Sequence, residues 1–337
     1  IDAAGTMLAE PGGKAWSTAI CDLINWDMAT LPPIVDPVTV VGEVSKPGAT
    51  ETGLSQGTPV VAGTMDTAVE GYGAGAIDPG QGVIKLATAG AVSVINESLQ
   101  AHASVIDYPH VMPDRAFSIT GTNSCASAHR WIRDQLFSAP NQSEHPDNDW
   151  PSFSAMDTLA SEIPAGSNGM IFHPYLQGER SPYWDPLLRA DFIGVTMEHN
   201  RAHFVRALYE GIAFSLFDCI QSLEEQGLPL NDIRLIGGGA QSRTWQQIVC
   251  DVIGSPISIP TNGDASFGAG LLAGVGVGCF ANERDAVEQC VSMADHCDPD
   301  TARHKLYQEL FLIYKDSQAS LASINHRIYE VTGRYES

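Results

Sequence analysis

Three stretches of this 337-residue chain combine residue types that could do chemistry on a ligand. The first begins with Ile233-Arg234-Leu235-Ile236, an apolar run that reads as a buried strand. Gly237-Gly238-Gly239-Ala240 follow, and then Trp245, Ile248, Val249 and Val252 at helical spacing. Strand, glycine turn and helix bring bare backbone close to a bound molecule and aim a helix N-terminus at it. The same turn also serves where a helix packs tightly on a sheet, so spacing alone leaves both uses open. The second stretch centres on Asp66, which follows the strand-like run Val60-Val61-Ala62-Gly63 and precedes small residues from Thr67 to Gly75. An α/β sheet presents side chains to a crevice at such a point, where a carboxylate could take a proton from a hydroxyl. Asp is equally a preferred helix cap. The third is Thr88-Ala89-Gly90, a turn between Val83–Ala87 and Ala91–Ile95. Backbone N–H groups of such a turn bind anions without a basic side chain, a plain β-turn being the alternative.

These residues need a rigid frame, and the pattern predicts one. Residues 201–226 carry Phe204, Leu208, Ile212, Leu216 and Ile220 every four positions, with Gly227 just past the end, so they form a helix. Residues 266–278 read as a helix of small residues suited to close backbone packing, and 302–331 as a further helix. Met170-Ile171-Phe172 is a strand. Trp16, Ile20, Leu23 and Ile24 make Trp16 to Trp26 a short amphipathic helix, broken by Leu31-Pro32-Pro33-Ile34-Val35. Residues 138–152 read as a polar, proline-containing surface loop. No internal repeat is present. Strands followed by helices, interleaved with a hairpin, indicate an α/β sheet flanked by helices.

Trp245, Gln247, Ile248, Asp251 and Gly254, then Pro256-Ile257, are similar in type and spacing to the second signature of the FGGY carbohydrate kinases. Further similarities fall in the same order: Gly63 to Ala68, Ala87 to Gly90, Pro174 to Pro182, Ala207 to Gly211, and Gly268 to Ala273. The chain resembles this family over nearly its whole length, and its pentulose-kinase branch, xylulokinase among them, most closely. The resemblance implies an actin-like ATPase domain of ribonuclease H-like topology. It also implies ATP-dependent phosphorylation of a ketopentose such as xylulose at its terminal hydroxyl, with Mg²⁺ bridging the phosphoryl oxygens. Asp66 would be the base, and Asp66 and Thr67 would meet the sugar. Thr88 and Gly90 would hold phosphates. Gly238, Gly239 and Ala240 would lie against adenine and ribose, with Arg243 at the base edge. Ser124 and Ala126, with Cys125 between them, would line the same pocket. The family usually shows Gly-Thr-Ser-Gly where this chain has Ala87-Thr88-Ala89-Gly90, which removes a flexible backbone position and a hydroxyl donor.

The family's early Asp-x-Gly-Thr loop has no counterpart here, so the first of its two domains is expected to be largely missing. Residues 1–58 are then the tail of that sugar-binding domain and the hinge, 59–301 the nucleotide-binding domain, and 302–337 a C-terminal helical segment. Ribulose, L-xylulose, gluconate and glycerol stay open as substrates. A non-catalytic nucleotide-binding module of the same fold is the alternative from another class. A dinucleotide-binding oxidoreductase is set aside, because the glycine turn lacks the G-x-G-x-x-G spacing and a following ribose-binding acid.

Composition narrows the rest. Lys and Arg number 18 against 40 Asp and Glu, a net charge of −22 that repels nucleic acid and anionic membranes. No apolar run is long enough to span a bilayer. The expected partner is a small sugar, with a homodimer as a further option, and the expected compartment is the cytoplasm. Seven scattered cysteines without a C-x-x-C pair read as reduced thiols. His199 and His203 lie at i, i+4 without an acidic partner at zincin spacing, so they read as a solvated helix face and no metal site is expected. Glu179 and Arg180 read as a loop-fixing ion pair. Glu210, inside an apolar helix, requires hydrogen-bond partners in the core. Tyr183 and Trp184 read as exposed-loop aromatics without a role.

Overall fold

The computed structural model describes residues 1–100, 105–137 and 152–333. Apart from Ser152, the loop expected over 138–152 lies outside the described residues. In chain order the helices are α1 (Asp2–Gly5), α2 (Thr18–Leu23), α3 (Lys46–Thr52), α4 (Asp66–Gly73), α5 (Ala126–Leu136) and α6 (Phe153–Ser161). They continue with α7 (Arg201–Glu225), α8 (Arg243–Ile253), α9 (Ala265–Gly276), α10 (Glu283–Cys290) and α11 (Thr301–Thr332). The strands are β1 (Val40–Glu43), β2 (Pro59–Val61), β3 (Gln81–Leu86), β4 (Gly90–Asn96), β5 (Ile106–Pro109) and β6 (Ala116–Thr122). After them come β7 (Ile171–His173), β8 (Asp191–Ile193), β9 (Asp232–Ile236), β10 (Ile257–Pro260) and β11 (Met293–Cys297).

The chain divides into two compact units. The first comprises Ile1–Val83, Ser93–Ser118 and Pro260–Ala294. Its strand residues follow the order β3-β4-β6-β5. Helices α4 and α9 pack together here, and glycine is what lets them: a Cβ on Gly268 would lie 1.9 Å from the Val69 carbonyl oxygen, and one on Gly73 3.0 Å from the Gly268 nitrogen. The small-residue helix expected at 266–278 is thus present, and its bare faces are used. Strands β1 and β2 pair antiparallel in a sheet of their own. The run Val60-Val61 therefore forms a strand but not a buried one, since every position of β1 and both Pro59 and Val60 are exposed. Apolar content set the expectation, whereas pairing outside the large sheet leaves the strand uncovered. The amphipathic helix expected from Trp16 to Trp26 shortens to α2, which buries only Cys21 and leaves Leu23 and Ile24 exposed.

The second unit comprises Ile84–Val92, Ile119–Ile259 and Asp295–Ser337. Its strand residues follow the order β11-β10-β9-β3-β4-β6, with β10 parallel to β9 through Ile257 opposite Ile233. Helix α7 is its centre. Asn200 caps it by accepting from the Ala202 N–H, and His203 turns back to the Asn200 N–H, closing a capping box. His203 is therefore a buried cap residue, and His199 lies before the helix, half-buried with its ring against the Asn168 carbonyl, so the pair does not form the solvated helix face first expected. Leu208, Ile212, Leu216 and Ile220 of the expected four-residue series are buried, while Phe204 at its start is only half-buried.

Glu210 sits in that apolar helix at 2% exposure. Its carboxylate accepts from the Gly166 N–H (2.9 Å), the Ser167 hydroxyl (2.7 Å), Arg206 Nε (2.7 Å) and the Tyr307 hydroxyl (2.7 Å). A buried charge with four donors and a guanidinium partner is satisfied, so Glu210 ties α7 to α11 and to the loop before β7. Tyr183 also departs from its reading as an exposed aromatic: its hydroxyl donates to Asp218 at 2.5 Å, and the Lys315 ammonium stands 5.3 Å from its ring centroid. Trp184 beside it is exposed.

Candidate active site

The glycine turn after β9 behaves as strand, turn and helix require, with a short 3-10 turn (Gly238–Gln241) before α8. Gly237 has φ 93°, and a Cβ there would lie 2.6 Å from the Leu86 carbonyl oxygen, so only glycine lets β9 turn against β3. Ser242 caps α8 by accepting from the Trp245 N–H at 3.0 Å. Trp245, Ile248, Val249 and Val252 are all buried, which fixes the helix on the sheet.

Beside this turn, wholly within the second unit, lies a cavity of about 660 Å³. Ala87 and Thr88 line it from the β3–β4 turn, Ala126 from the start of α5, and Gly238, Gly239 and Ser242 from the glycine turn. Four of the residues expected to contact nucleotide (Thr88, Ala126, Gly238 and Gly239) thus meet at one cavity, although 150 positions separate Thr88 from Gly238 in the sequence. Ala240 is buried beneath the turn.

Three of the expected residues are placed otherwise. Gly90 is buried at the start of β4, where a Cβ would meet Thr122 Cγ2 at 2.7 Å and Leu216 Cδ2 at 2.9 Å. Glycine is required there by packing. Ser124 is buried, and its hydroxyl has no partner among the described residues. Arg243 is 83% exposed at its side chain and pairs with Asp295 at 2.9 Å, because the first turn of α8 points it to solvent rather than toward the cavity lining. The N–H groups at the start of α5 are also committed. Ala126 N donates to the Ala87 carbonyl (2.8 Å), and Cys125 N and Ser127 N donate to that of Thr88 (3.2 and 3.1 Å). They hold the Ala87-Thr88 turn in shape.

In the first unit, Asp66 opens α4 and is exposed. The helix cap is Met65, and the Asp66 carboxylate accepts instead from the Thr67 N–H (2.7 Å) and the Thr67 hydroxyl (3.2 Å). A first-turn carboxylate is favoured by the helix dipole. Its second oxygen takes no hydrogen bond among the described residues.

Side chains to which the sequence reading gave no site role also line the cavity, among them His129, Arg130, Phe153, Asp157 and Tyr209. Asp157 accepts from the Tyr209 hydroxyl (2.5 Å) and the Ser242 hydroxyl (2.8 Å), while Tyr209 stacks on Trp245 with centroids 4.6 Å apart and planes 6° from parallel. Burial pushes the His129 imidazole down to about 4, against the pull of Asp157, so the ring is neutral near pH 7. The one sequence signal for this group is local: Ser152 caps α6 and puts Phe153 and Asp157 four apart on one helical face.

Glu179 lies in the same unit, and its carboxylate is not held by an ion pair with Arg180 as expected. It accepts instead from the Thr122 hydroxyl (2.5 Å), Asn123 N (2.8 Å) and Arg180 N (2.7 Å). Burial pushes this carboxyl up to about 7 from an ordinary 4.5, against those hydrogen bonds and the nearby Arg180 charge. With a folded value above the unfolded one, Glu179 contributes stability that is complete below about 4.5 and lost as pH rises through about 7. Glu179→Gln keeps an acceptor for both N–H groups and cannot ionise. Its melting temperature is expected to gain on that of the wild type across this window, by a free energy of roughly 3 kcal/mol. Parallel thermal unfolding of both proteins from pH 4 to 8 checks it, and a constant gap between them refutes it.

Comparison with known proteins places this geometry. The profile described as the FGGY family of carbohydrate kinases, C-terminal domain, matches residues 83–277, and that of the N-terminal domain matches residues 1–73. The first domain is therefore represented here, and its expected near-absence is not supported. The missing Asp-x-Gly-Thr loop was one local feature, whereas the match runs through residue 73. A xylulose kinase of Staphylococcus epidermidis is 32% identical over 317 residues, covering 93% of this chain and 62% of that protein. The structure of a ligand-bound xylulose kinase from Lactobacillus acidophilus superposes with a TM-score of 0.84 at 25% identity, covering 97% of this chain and 64% of the other. A gluconate kinase from the same organism matches with a TM-score of 0.84 at 26% identity and the same coverage. The chain thus spans somewhat under two thirds of the length of these relatives. The α/β architecture is the actin-like ATPase fold of that family, and the chain belongs to the FGGY family of carbohydrate kinases.

Proposed function

We propose that this protein phosphorylates a ketopentose such as xylulose with ATP, the nucleotide occupying the cavity of the second unit. One observation carries the reading: Ala87-Thr88, Ala126 and Gly238-Gly239 converge on that cavity, and they are the segments that the family resemblance assigns to nucleotide. Small residues and bare backbone there suit a flat purine. The rings of Phe153, Tyr209 and Trp245 line the cavity together with the Ala87-Thr88 turn, whose backbone would meet the phosphates.

In this reading Asp66 takes the proton from the sugar's terminal hydroxyl as that oxygen attacks the γ-phosphorus, and ADP leaves. Thr67 holds the Asp66 carboxylate through the hydroxyl and N–H bonds already described. No helix among the described residues is long and apolar enough to cross a membrane, and we place the enzyme in the cytoplasm with its sugar substrate; a homodimer is the assembly to test. The described residues do not bring three or more His, Cys, Asp or Glu side chains together, so among them there is no ready-made cage for Mg²⁺. Mg²⁺ in such enzymes takes substrate phosphates and water as ligands, with one or two carboxylates, and would enter with ATP to neutralise phosphate charge.

A coupled ADP-release assay with D-xylulose, D-ribulose, L-xylulose, D-gluconate and glycerol tests the reading. The highest kcat/KM is expected for a ketopentose. The likeness to a gluconate kinase keeps gluconate as the second candidate. ATP binding without turnover of any of these sugars would leave the nucleotide-binding module as the function.

A further inference from the structure

Asp157 occupies an unusual place for a carboxylate in a cavity meant for a polyanion. It projects from α6 into the lining shared with Phe153, His129, Tyr209 and Trp245, the aromatic part of the cavity. Two hydroxyls, Tyr209 at 2.5 Å and Ser242 at 2.8 Å, both donate to its Oδ1. These two donors use both lone pairs of that oxygen. The residues supplying them are themselves fixed, since Tyr209 is fully buried against Trp245 and Ser242 caps α8. The carboxylate is therefore held in one orientation, and its Oδ2 accepts no hydrogen bond among the described residues. A negative charge repels the triphosphate, so the phosphates are expected away from Asp157, at the Ala87-Thr88 turn that also lines the cavity. What remains beside Asp157 is the planar base, among rings that suit it.

We propose that Asp157 is a specificity-determining residue that accepts a hydrogen bond from the exocyclic 6-amine of adenine through Oδ2. The inference rests on the nucleotide reading of this cavity. A purine with a carbonyl at position 6 brings an acceptor against the carboxylate instead of a donor. A carboxylate with both oxygens free could also grip the adjacent N–H groups of guanine; one whose Oδ1 is already filled offers a single acceptor and matches the single amine of adenine. His129, neutral and with its ring edge against Tyr209 and Trp245, brings no positive charge of its own to the carboxylate.

Calorimetric titration of the chain with ATP and with inosine triphosphate, which differ at position 6, tests this. The wild type is expected to prefer ATP by about tenfold or more, the scale of one charge-assisted hydrogen bond. Asp157→Asn keeps an Oδ1 acceptor for both hydroxyls and presents an amide N–H₂ in place of Oδ2. The ATP preference is expected to fall by about tenfold or to reverse, with the melting temperature held. A wild type that binds both nucleotides equally overturns the proposal without any variant, and so does an Asp157→Asn protein whose two affinities are unchanged or shift in parallel. Gly238→Val separates the two levels. If it weakens ATP binding while Asp157→Asn leaves the preference intact, the cavity is the nucleotide site and only the base reading falls. If Gly238→Val leaves ATP affinity untouched, or the wild type binds no ATP, both readings fall.

Discussion

Asp66→Asn is expected to lower the phosphoryl-transfer rate of the protein carrying this segment by about 10²- to 10⁴-fold, the usual scale of general base catalysis, while leaving ATP affinity unchanged. Asn has the size of Asp and keeps an acceptor for the Thr67 N–H and hydroxyl, which bond to the Asp66 carboxylate at 2.7 and 3.2 Å. It cannot take the proton. The alternative, a purely structural Asp66, now has less to stand on: Met65 occupies the cap position, and the carboxylate reaches only the neighbouring Thr67. Loss of the first-turn charge alone would cost stability of about 0.3–1 kcal/mol and leave the rate unaffected. Steady-state kinetics, with ATP binding measured separately, distinguish the two. A variant with wild-type kcat and normal unfolding would remove Asp66 from the reaction. ATP affinity is expected to hold because every residue lining the cavity belongs to the second unit, and Asp66 belongs to the first.

Periodicity made the frame legible. The four-residue spacing from Phe204 to Ile220 marked α7, and the apolar run at 233–236 marked β9, because buried positions call for apolar residues at the element's own spacing. What covers an element leaves no such trace. Val60-Val61 looks like a core strand but pairs only with β1, and Leu23 and Ile24 look like the inner face of a helix yet are exposed. The candidate site was legible mainly through resemblance, which grouped Thr88, Ala126, Gly238 and Gly239, and these four line one cavity. Resemblance did not say which way a residue faces. Gly90 turned out to be packed against Thr122 and Leu216, and Arg243 to be turned to solvent. Asp157, His129 and Tyr209 come from three separate helices, and no local pattern ties them together before the chain folds. Glu179 was recognised as a charged turn residue, but its partners, Thr122 and Asn123, lie more than 50 positions upstream.

The two glycines of the turn after β9 are expected to respond to substitution in opposite ways. A Cβ built on Gly238 meets nothing within 4 Å, and Gly238 lines the cavity, so a side chain there enters the space meant for the nucleotide. A Cβ on Gly239 would instead stand 2.8 Å from Leu86 Cβ and 2.9 Å from Trp245 Cζ3, inside packed protein. Gly238→Val is therefore expected to weaken ATP binding by up to about a hundredfold, the equivalent of 1–3 kcal/mol of overpacking, with little change in melting temperature. Gly239→Ala is expected to place that same cost on the fold, lowering stability by about 1–3 kcal/mol. Its effect on ATP would follow only from displacement of Trp245, whose ring stacks on Tyr209. Neither effect depends on a left-handed backbone, since positive φ in this turn belongs to Gly237 alone. Calorimetric titration with ATP–Mg²⁺ beside thermal unfolding of both variants reads the contrast. If Gly238→Val binds ATP as the wild type does, the turn is a packing device and the nucleotide must be sought elsewhere. If both variants lose stability and neither loses affinity, the cavity beside the turn has no part in binding.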